Sequence, residues 1–191
     1  MRISFFSILV ACIGWISAYS EEPDLQDELG EEFQTIIYYL DDEAMQLKYA
    51  VRELVQTSSD TNRVKQVIEW LSIDPEEEHL YRIWPETIFL RDVFVVDNQT
   101  IVVDILMDSL DGFSAGVLLE GLLIHSMVNS ILESFPWYKE VWILLDGRVQ
   151  ETFLGHIDIE KPLHINKSLT VEPKEGEKEA GAGPPRLMQS P

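Results

Sequence analysis

The stretch SAGVLLEGLLIHSMVNSILESF, residues 114–135, decides the fold of this chain. Most of its residues are apolar, and its polar residues between positions 125 and 133 recur at spacings of one and four, which places them on one narrow stripe of a helix. A helix with so wide an apolar arc must be buried against a sheet. Glu120 and His125 interrupt the apolar run, which argues against insertion into a membrane. We therefore predict a buried core helix.

Patterns upstream of this helix predict two strand regions and two further helices. Residues 34–40 are β-branched and aromatic, which is typical of a strand. Apolar residues at helical spacing over 47–55, and again over 64–71, predict two amphipathic helices. Residues 88–96 and 101–106 are rich in strand-forming residues and predict a β-hairpin.

Downstream of the core helix, the pattern predicts a second hairpin. Residues 140–145 read as a strand that ends at Asp146-Gly147, a pair favoured in two-residue hairpin turns. Residues 149–153 are expected to pair back on that strand. The resulting order, β-α-α-β-β-α-β-β, predicts an α+β domain of two layers in which helices cover a mixed β-sheet.

The amino terminus has the layout of a secretory signal. Met1-Arg2 precedes an apolar run over 3–16, and small residues stand at Ala18 and Ser20. The run is short for a membrane span of about 20 residues. We predict a signal peptide over 1–20. An alternative is that Cys12, in a lipobox-like context, is lipidated and anchors the protein to a membrane. Both alternatives predict an exported protein, periplasmic or extracellular.

Composition sets the remaining boundaries. We predict an acidic linker over 21–32, a folded domain over 33–163, and a disordered tail over 164–191 that is rich in Glu, Lys, Gly and Pro. Cys12 is the only cysteine, so a chain cleaved after residue 20 has no disulfide, no catalytic thiol and no cysteine-ligated metal.

Charge excludes some partners. The chain has 14 Lys+Arg and 34 Asp+Glu, a net charge of −20, which repels nucleic acid and anionic lipid. We read the acidic surface as solvated, with weak cation binding as the alternative, and we expect no cofactor and no metal.

The run from Leu122 to Leu163 resembles the second half of the GerMN domain, which is named for a sporulation and spore-germination protein. The matching motifs, in order, contain Asn129, then Asp146 and Gly147, then Gly155, His156 and Asp158. The first half is similar more loosely, including a hairpin that ends in Val-Asp at 103–104. The resemblance implies an extracytoplasmic bacterial module with no established catalytic residues. By analogy of fold with ring-building modules, it also implies an interaction role.

His156 and Asp158 are the residues that best fit a catalytic site. In a strand they would project to the same face, where a carboxylate could orient the imidazole as a general base. No nucleophile stands in a motif nearby, and the pair precedes Pro162 in a segment that closes the domain. We favour a structural role, with a cell-envelope hydrolase that uses these two residues as the alternative.

Two other features invite a functional reading. His125, Asn129 and Glu133 lie at i, i+4 and i+8 on the core helix, a spacing that could bring three ligands to a metal ion. Only two of the three are typical zinc ligands. We therefore expect no metal here and expect Asn129 to bind backbone groups. Trp137 and Tyr138 follow Pro136 in a turn, and aromatic residues in such positions are frequent at partner surfaces.

The sequence therefore predicts a non-enzymatic module of the bacterial envelope that acts through protein–protein interaction, in sporulation, germination or another envelope assembly. Its expected partners are envelope proteins.

Overall fold

The structure is a computed structural model that describes residues 32–86, 89–110, 112 and 114–171. The predicted signal peptide with Cys12, and all but the last residue of the predicted linker, lie outside the described residues. The same holds for residues 172–191 of the predicted tail.

The described chain is an α+β fold with two three-stranded sheets. Its elements are β1 (Glu32–Asp41), β2 (Leu47–Val55), α1 (Asp60–Leu71), β3 (Leu80–Tyr81), β4 (Leu90–Val96), β5 (Thr100–Ile105), α2 (Val117–Ser134) and β6 (Glu140–Leu145). The strand orders are β2-β1-β3 and β4-β5-β6. All pairs are antiparallel except β5 and β6, which are parallel and are joined by α2. The predicted fold class is confirmed.

Residues 47–55 form strand β2, so the helix predicted there is wrong. β2 pairs with β1 along its whole length. Ala50 and Leu54 are buried on one face of β2, whereas Leu47 is buried on the opposite face, next to its bridge with Thr170. Because the strand buries residues on both faces, its apolar positions imitate the spacing of a helix.

The Asp146-Gly147 turn forms as predicted, but the strand expected after it does not pair with β6. The φ angles of the two turn residues are 52° and 73°, as a two-residue hairpin turn requires. Pairing stops after the bridge to Arg148. Leu163 takes the outer edge of β6 instead and exchanges two backbone hydrogen bonds with Val141, at 2.7 and 2.9 Å.

Helix α2 forms the centre of the domain. It contacts β1, α1 and β6, and its apolar residues share one core with the fully buried inward residues of β5 and β6. By length and composition the helix could cross a bilayer, but 72% of the helix is buried inside the domain. This is the burial expected for the core helix of a globular domain.

A row of three serines on α2 faces away from β6. Ser126, Ser130 and Ser134 recur every fourth residue, and all three are buried. Each hydroxyl donates to a backbone carbonyl of its own helix, which leaves its oxygen able to accept a hydrogen bond. Ser126 accepts from the indole N–H of Trp84 at 2.8 Å. The row therefore gives an apolar helix a line of acceptors.

Strand β3 pairs with only the last two positions of β1, which leaves the rest of that edge of β1 without a partner strand in the described chain. The serine row lies along this edge. The Oγ atom of Ser130 accepts the backbone N–H of Tyr38 at 2.9 Å, and the hydroxyls of Ser134 and Thr35 are hydrogen-bonded. Side chains of α2 thus occupy an edge that would otherwise present unpaired backbone groups.

Replacing Ser130 with alanine tests this contact. Ser130→Ala leaves the N–H of Tyr38 buried without its acceptor, so we expect the free energy of unfolding to fall by about 1–3 kcal/mol. The measurement is urea unfolding followed by circular dichroism. Ser114→Ala, at an exposed serine just before α2, is the control and is expected to change stability by less than about 0.5 kcal/mol. Equal stability of the two variants would contradict the role given to Ser130.

Candidate functional site

The closing segment, residues 148–171, is attached to α2 by a buried glutamate. Glu120 lies in the first turn of α2, and its side chain has no exposed surface. Its Oε1 atom accepts the backbone N–H groups of Leu154 at 2.9 Å, His156 at 3.3 Å and Ile157 at 2.9 Å. Its Oε2 atom lies 2.8 Å from Nδ1 of His156. One carboxylate therefore holds four donors of the closing segment.

The backbone around Gly155 makes this arrangement possible. Gly155 has a φ of 108°, in the range that glycine adopts without the strain of a side chain. The turn lets the N–H groups on both sides of Gly155 point at the same oxygen. Converging backbone N–H groups of this kind form a concave anion-binding site, and here the anion belongs to the protein itself.

The hydrogen bonds keep Glu120 ionised despite its burial. Burial raises the pKa of the Glu120 carboxyl, but the donors from Leu154, Ile157 and His156 outweigh it, and the net pKa is below the ordinary value. An ionised carboxylate only accepts hydrogen bonds, so Nδ1 of His156 carries the proton. The imidazole is 41% exposed, and its Nε2 edge is left without a partner among the described residues.

His156 and Asp158 do not form the pair that their sequence spacing suggested. Asp158 accepts the backbone N–H of Glu160 at 2.8 Å and forms a bridge with Thr152. No hydrogen bond or ion pair joins His156 to Asp158 in the described part of the chain. The carboxylate that orients His156 is Glu120, 36 positions earlier in the sequence.

Glu120 was missed as a candidate site residue, although the sequence contained a signal for it. It is a lone acidic residue in an apolar helical run, and a buried carboxylate requires partners. The sequence does not show which donors meet it, because they come from a distant loop.

Asn129 attaches the end of the closing segment to the same helix. Its side chain is fully buried, its Oδ1 atom accepts the N–H of Asn166 at 2.9 Å, and its Nδ2 atom donates to the carbonyl of Asn166 at 3.2 Å. Glu133, one turn further on, accepts the hydroxyl of Tyr38 at 3.0 Å and forms an ion pair with Lys167. The N–H of Val171 also donates to the carbonyl of Leu47 at 2.8 Å, so contacts with the domain continue beyond the boundary predicted at residue 163.

His125, Asn129 and Glu133 are not grouped as the ligands of a metal ion. His125 is half-buried, and burial lowers the pKa of its imidazole. Asn129 and Glu133 are directed to other groups, as described above. Among the described residues, no group of three or more His, Cys, Asp or Glu side chains is placed to hold a metal ion.

The turn residues that match the resemblance also bind backbone groups. The N–H of Gly147 donates to Oδ1 of the buried Asp104 at 2.7 Å, and Oδ1 of Asp146 accepts the N–H of Met107 at 3.1 Å. A Cβ atom on Gly147 would lie 3.2 Å from the guanidinium group of Arg91. These contacts connect the end of β5 to the turn after β6.

Trp137 and Tyr138 make contacts inside the domain. The indole N–H of Trp137 and the hydroxyl of Tyr138 both donate to Oδ2 of Asp60, at 3.1 and 2.6 Å. Tyr138 is 8% exposed, and burial together with the Asp60 carboxylate raises its pKa to about 12. Both side chains thereby connect the turn after α2 to the start of α1. Their contact with a partner stays a hypothesis, for which the half-buried Trp137 offers the larger free surface.

Comparison with known proteins gives one family match. A family model described as sporulation and spore germination (Germane) matches residues 36–151, more than half of the chain. A search of curated protein sequences finds no match.

Three solved structures have a similar fold. The tandem GerMN domains of the sporulation protein GerM from Bacillus subtilis align with a TM-score of 0.55 and 16% identity, covering 72% of this chain and 47% of that one. The first GerMN domain of the same protein gives 0.52 and 16%, covering 69% and 96%. A candidate lipoprotein from Clostridium perfringens gives 0.50 and 18%, covering 75% and 95%. At these identities the likeness concerns the fold alone.

Two variants of Glu120 measure what its carboxylate contributes to stability. Glu120→Ala removes the acceptor of three backbone N–H groups and of the His156 imidazole, so we expect a loss of about 3 kcal/mol in the free energy of unfolding. Glu120→Gln keeps one oxygen acceptor and nearly the same volume, so its loss is expected to be smaller. Asp158→Asn is the control. Urea unfolding curves rank the three, and a Glu120→Ala variant as stable as Asp158→Asn would refute the role of Glu120.

The ionisation of Glu120 makes stability depend on pH. Because its pKa is lower in the folded state than in the unfolded chain, its contribution is present above the unfolded value of about 4.3 and is lost as the pH falls through the folded value. We expect the urea midpoint to decline below about pH 4 in the parent protein and to decline less steeply in Glu120→Gln. Identical pH profiles would show that the pKa of Glu120 is not lower in the folded state than in the unfolded chain.

Proposed function

Because the chain belongs to the sporulation and spore germination family, whose domain is called GerMN, we propose that it is a non-catalytic module of the bacterial cell envelope that acts by binding other proteins. The family match confirms the resemblance found in the sequence. The similar structures are a sporulation protein and a candidate lipoprotein, which fits a role at the envelope.

One observation carries the non-catalytic part of the proposal. The motif side chains with polar groups are directed to backbone groups of this chain or, for His156, to Glu120. Gly147 and Gly155 supply the backbone turns that these contacts need. Residues used in this way preserve the shape of a scaffold, and the surface of that scaffold is then available for partners.

Export supports the same role. A signal peptide over residues 1–20 would release the protein into the periplasm or the medium, whereas lipidation of Cys12 would hold it at a membrane. The likeness to a candidate lipoprotein is compatible with the second route. In both cases the domain meets envelope proteins, in sporulation, germination or another envelope assembly.

The alternative function is a cell-envelope hydrolase that uses His156. It is favoured by one feature: a carboxylate fixes the imidazole with its Nε2 edge toward solvent, as in a general base. The carboxylate in this version is Glu120 and not Asp158. Against it, no serine or threonine hydroxyl bonds His156 in the described part of the chain, and a general base needs a substrate or nucleophile within reach.

The full chain and its His156→Ala variant distinguish the two functions. We expect the immobilised protein to retain a defined envelope protein, confirmed by reciprocal capture, and we expect the variant to retain it equally. We also expect neither protein to hydrolyse peptidoglycan or an activated ester. The proposal fails if hydrolysis is observed and is abolished in a folded His156→Ala variant, or if repeated capture returns no partner.

A further inference from the structure

The second sheet has one face that no helix in the described part of the chain covers. Side chains alternate between the faces of a strand, so the residues of β4, β5 and β6 divide into two sets. The inward set belongs to the hydrophobic core: its members on β5 and β6 are buried, and Leu90 and Val95 on β4 are half-buried. We define the outer face by the other set, whose members are Asp92, Phe94, Val96, Thr100, Val102, Asp104, Glu140, Trp142 and Leu144.

The centre of the outer face is apolar. Phe94, Val102 and Trp142 lie directly opposite one another on the three strands and form one row. Phe94 is 45% exposed and its neighbour Val96 is 43% exposed, whereas Val102 between the two aromatic residues is buried. A solvated face of a sheet normally carries polar residues. A continuous apolar row on an otherwise acidic protein marks a surface that other molecules contact.

Charge decides what kind of molecule fits this face. Its nine positions include the acidic residues Asp92, Asp104 and Glu140 and no Lys or Arg. Lys65 approaches Asp92 at 2.9 Å and Arg91 approaches Asp104 at 3.6 Å, so two of the three acids are partly compensated from outside the face. Glu140 lies at the rim, where it accepts the hydroxyl of Thr100 at 2.7 Å and lies 3.8 Å from Nε2 of His164. The chain as a whole has a charge of −20. An apolar occupant with basic flanks complements both the row and its surroundings.

The same charges weigh against other occupants. A second copy of this chain would bring acidic rim against acidic rim, and like charges at an interface are unfavourable. The chain's own residues 21–31 contain no basic residue, so they are repelled as well.

A cavity of about 730 Å³ between α1 and β4 is a competing surface. It is lined by apolar residues that include Phe89, with Lys65, Arg91, Glu69 and Glu86 around them. Two basic and two acidic residues give this cavity no preference for the charge of an occupant.

We propose that the outer face binds a basic amphipathic segment of an envelope protein, with aliphatic side chains on the Phe94–Val102–Trp142 row and Lys or Arg side chains toward Glu140. This inference rests on the proposed function and specifies the surface through which the domain binds its partner. Aromatic residues at the centre of an interface contribute most of its affinity, whereas charges at its rim mainly select the partner.

A pair of peptides tests the surface directly. The probe is an 18-residue peptide of alternating Lys and Leu, and its counterpart has Glu in place of Lys. We expect the Lys/Leu peptide to shift the NMR signals of β4–β6 amides and of the Trp142 indole, and we expect no shifts with the Glu/Leu peptide. Shifts of similar size elsewhere on the domain would overturn the proposal, because they would show unspecific attraction to an acidic protein.

Two variants of the full chain localise the binding. Phe94→Ser removes an anchor of the row, and Phe89→Ser removes an equally exposed phenylalanine, 48% against 45%, at the competing cavity. We expect Phe94→Ser to weaken binding of the Lys/Leu peptide at least tenfold and Phe89→Ser to change it less than twofold. The reverse order would assign binding to the cavity and overturn the proposal. Circular dichroism and urea midpoints verify that both variants fold.

Capture experiments separate failure of this surface from failure of the proposed function. We expect the envelope protein retained by the parent chain to be lost with Phe94→Ser. If Phe94→Ser retains it as well as the parent does, the outer face is not its binding site, although the proposed function stands. If sedimentation shows a dimer of the parent that Phe94→Ser abolishes, the face binds a second copy and the proposal of a basic partner is wrong.

Discussion

The burial of α2 is the constraint on which the rest of this structure depends. A helix that is covered on nearly all sides cannot leave most of its polar side chains to water, so these side chains need partners inside the protein. The serine row meets the edge of β1, and Glu120, Asn129 and Glu133 meet the closing segment. Through these contacts α2 holds both β1 and the closing segment, which do not pair with each other. The helix is therefore both the core of the domain and the connection between its parts.

This arrangement gives a physical meaning to the residues on which the sequence resemblance rests. Gly155 and His156 fit the carboxylate of Glu120, and Asp146-Gly147 forms the turn that fits Asp104. A buried carboxylate surrounded by backbone donors is well suited to hold a loop, since its loss leaves several donors unpaired at once. The same arrangement is a poor starting point for chemistry, because the carboxylate is closed off from substrate. Such a scaffold is compatible with the proposed function, in which partners bind the outer surfaces of the domain.

Much of the fold could be predicted from local patterns, but the contacts of the site could not. The strand before residue 41, the helix after residue 60, the first hairpin, the core helix and the strand after residue 140 each have a periodicity that identifies them. Strand β2 resembles a helix in its sequence because Leu47, whose backbone bridges to Thr170, is buried on the face opposite to Ala50 and Leu54. The strand predicted after Gly147 failed for a related reason, since Leu163 already occupies the edge of β6. Glu120 meets donors 34 to 37 positions away. In each case a distant part of the chain decided the outcome, and no local pattern reports on it.

Amide hydrogen exchange of the unmodified protein tests this account most directly. The N–H groups of Leu154 and Ile157 belong to a surface loop without helix or strand, yet each donates to the buried Glu120. If α2 holds the domain together as described, these two amides exchange as slowly as the amides in the middle of α2, because both open only when the whole domain unfolds. Exchange at the rate of the exposed turn at Asp97-Asn98 would show that the closing segment opens on its own, and that the contacts of Glu120 do not hold it.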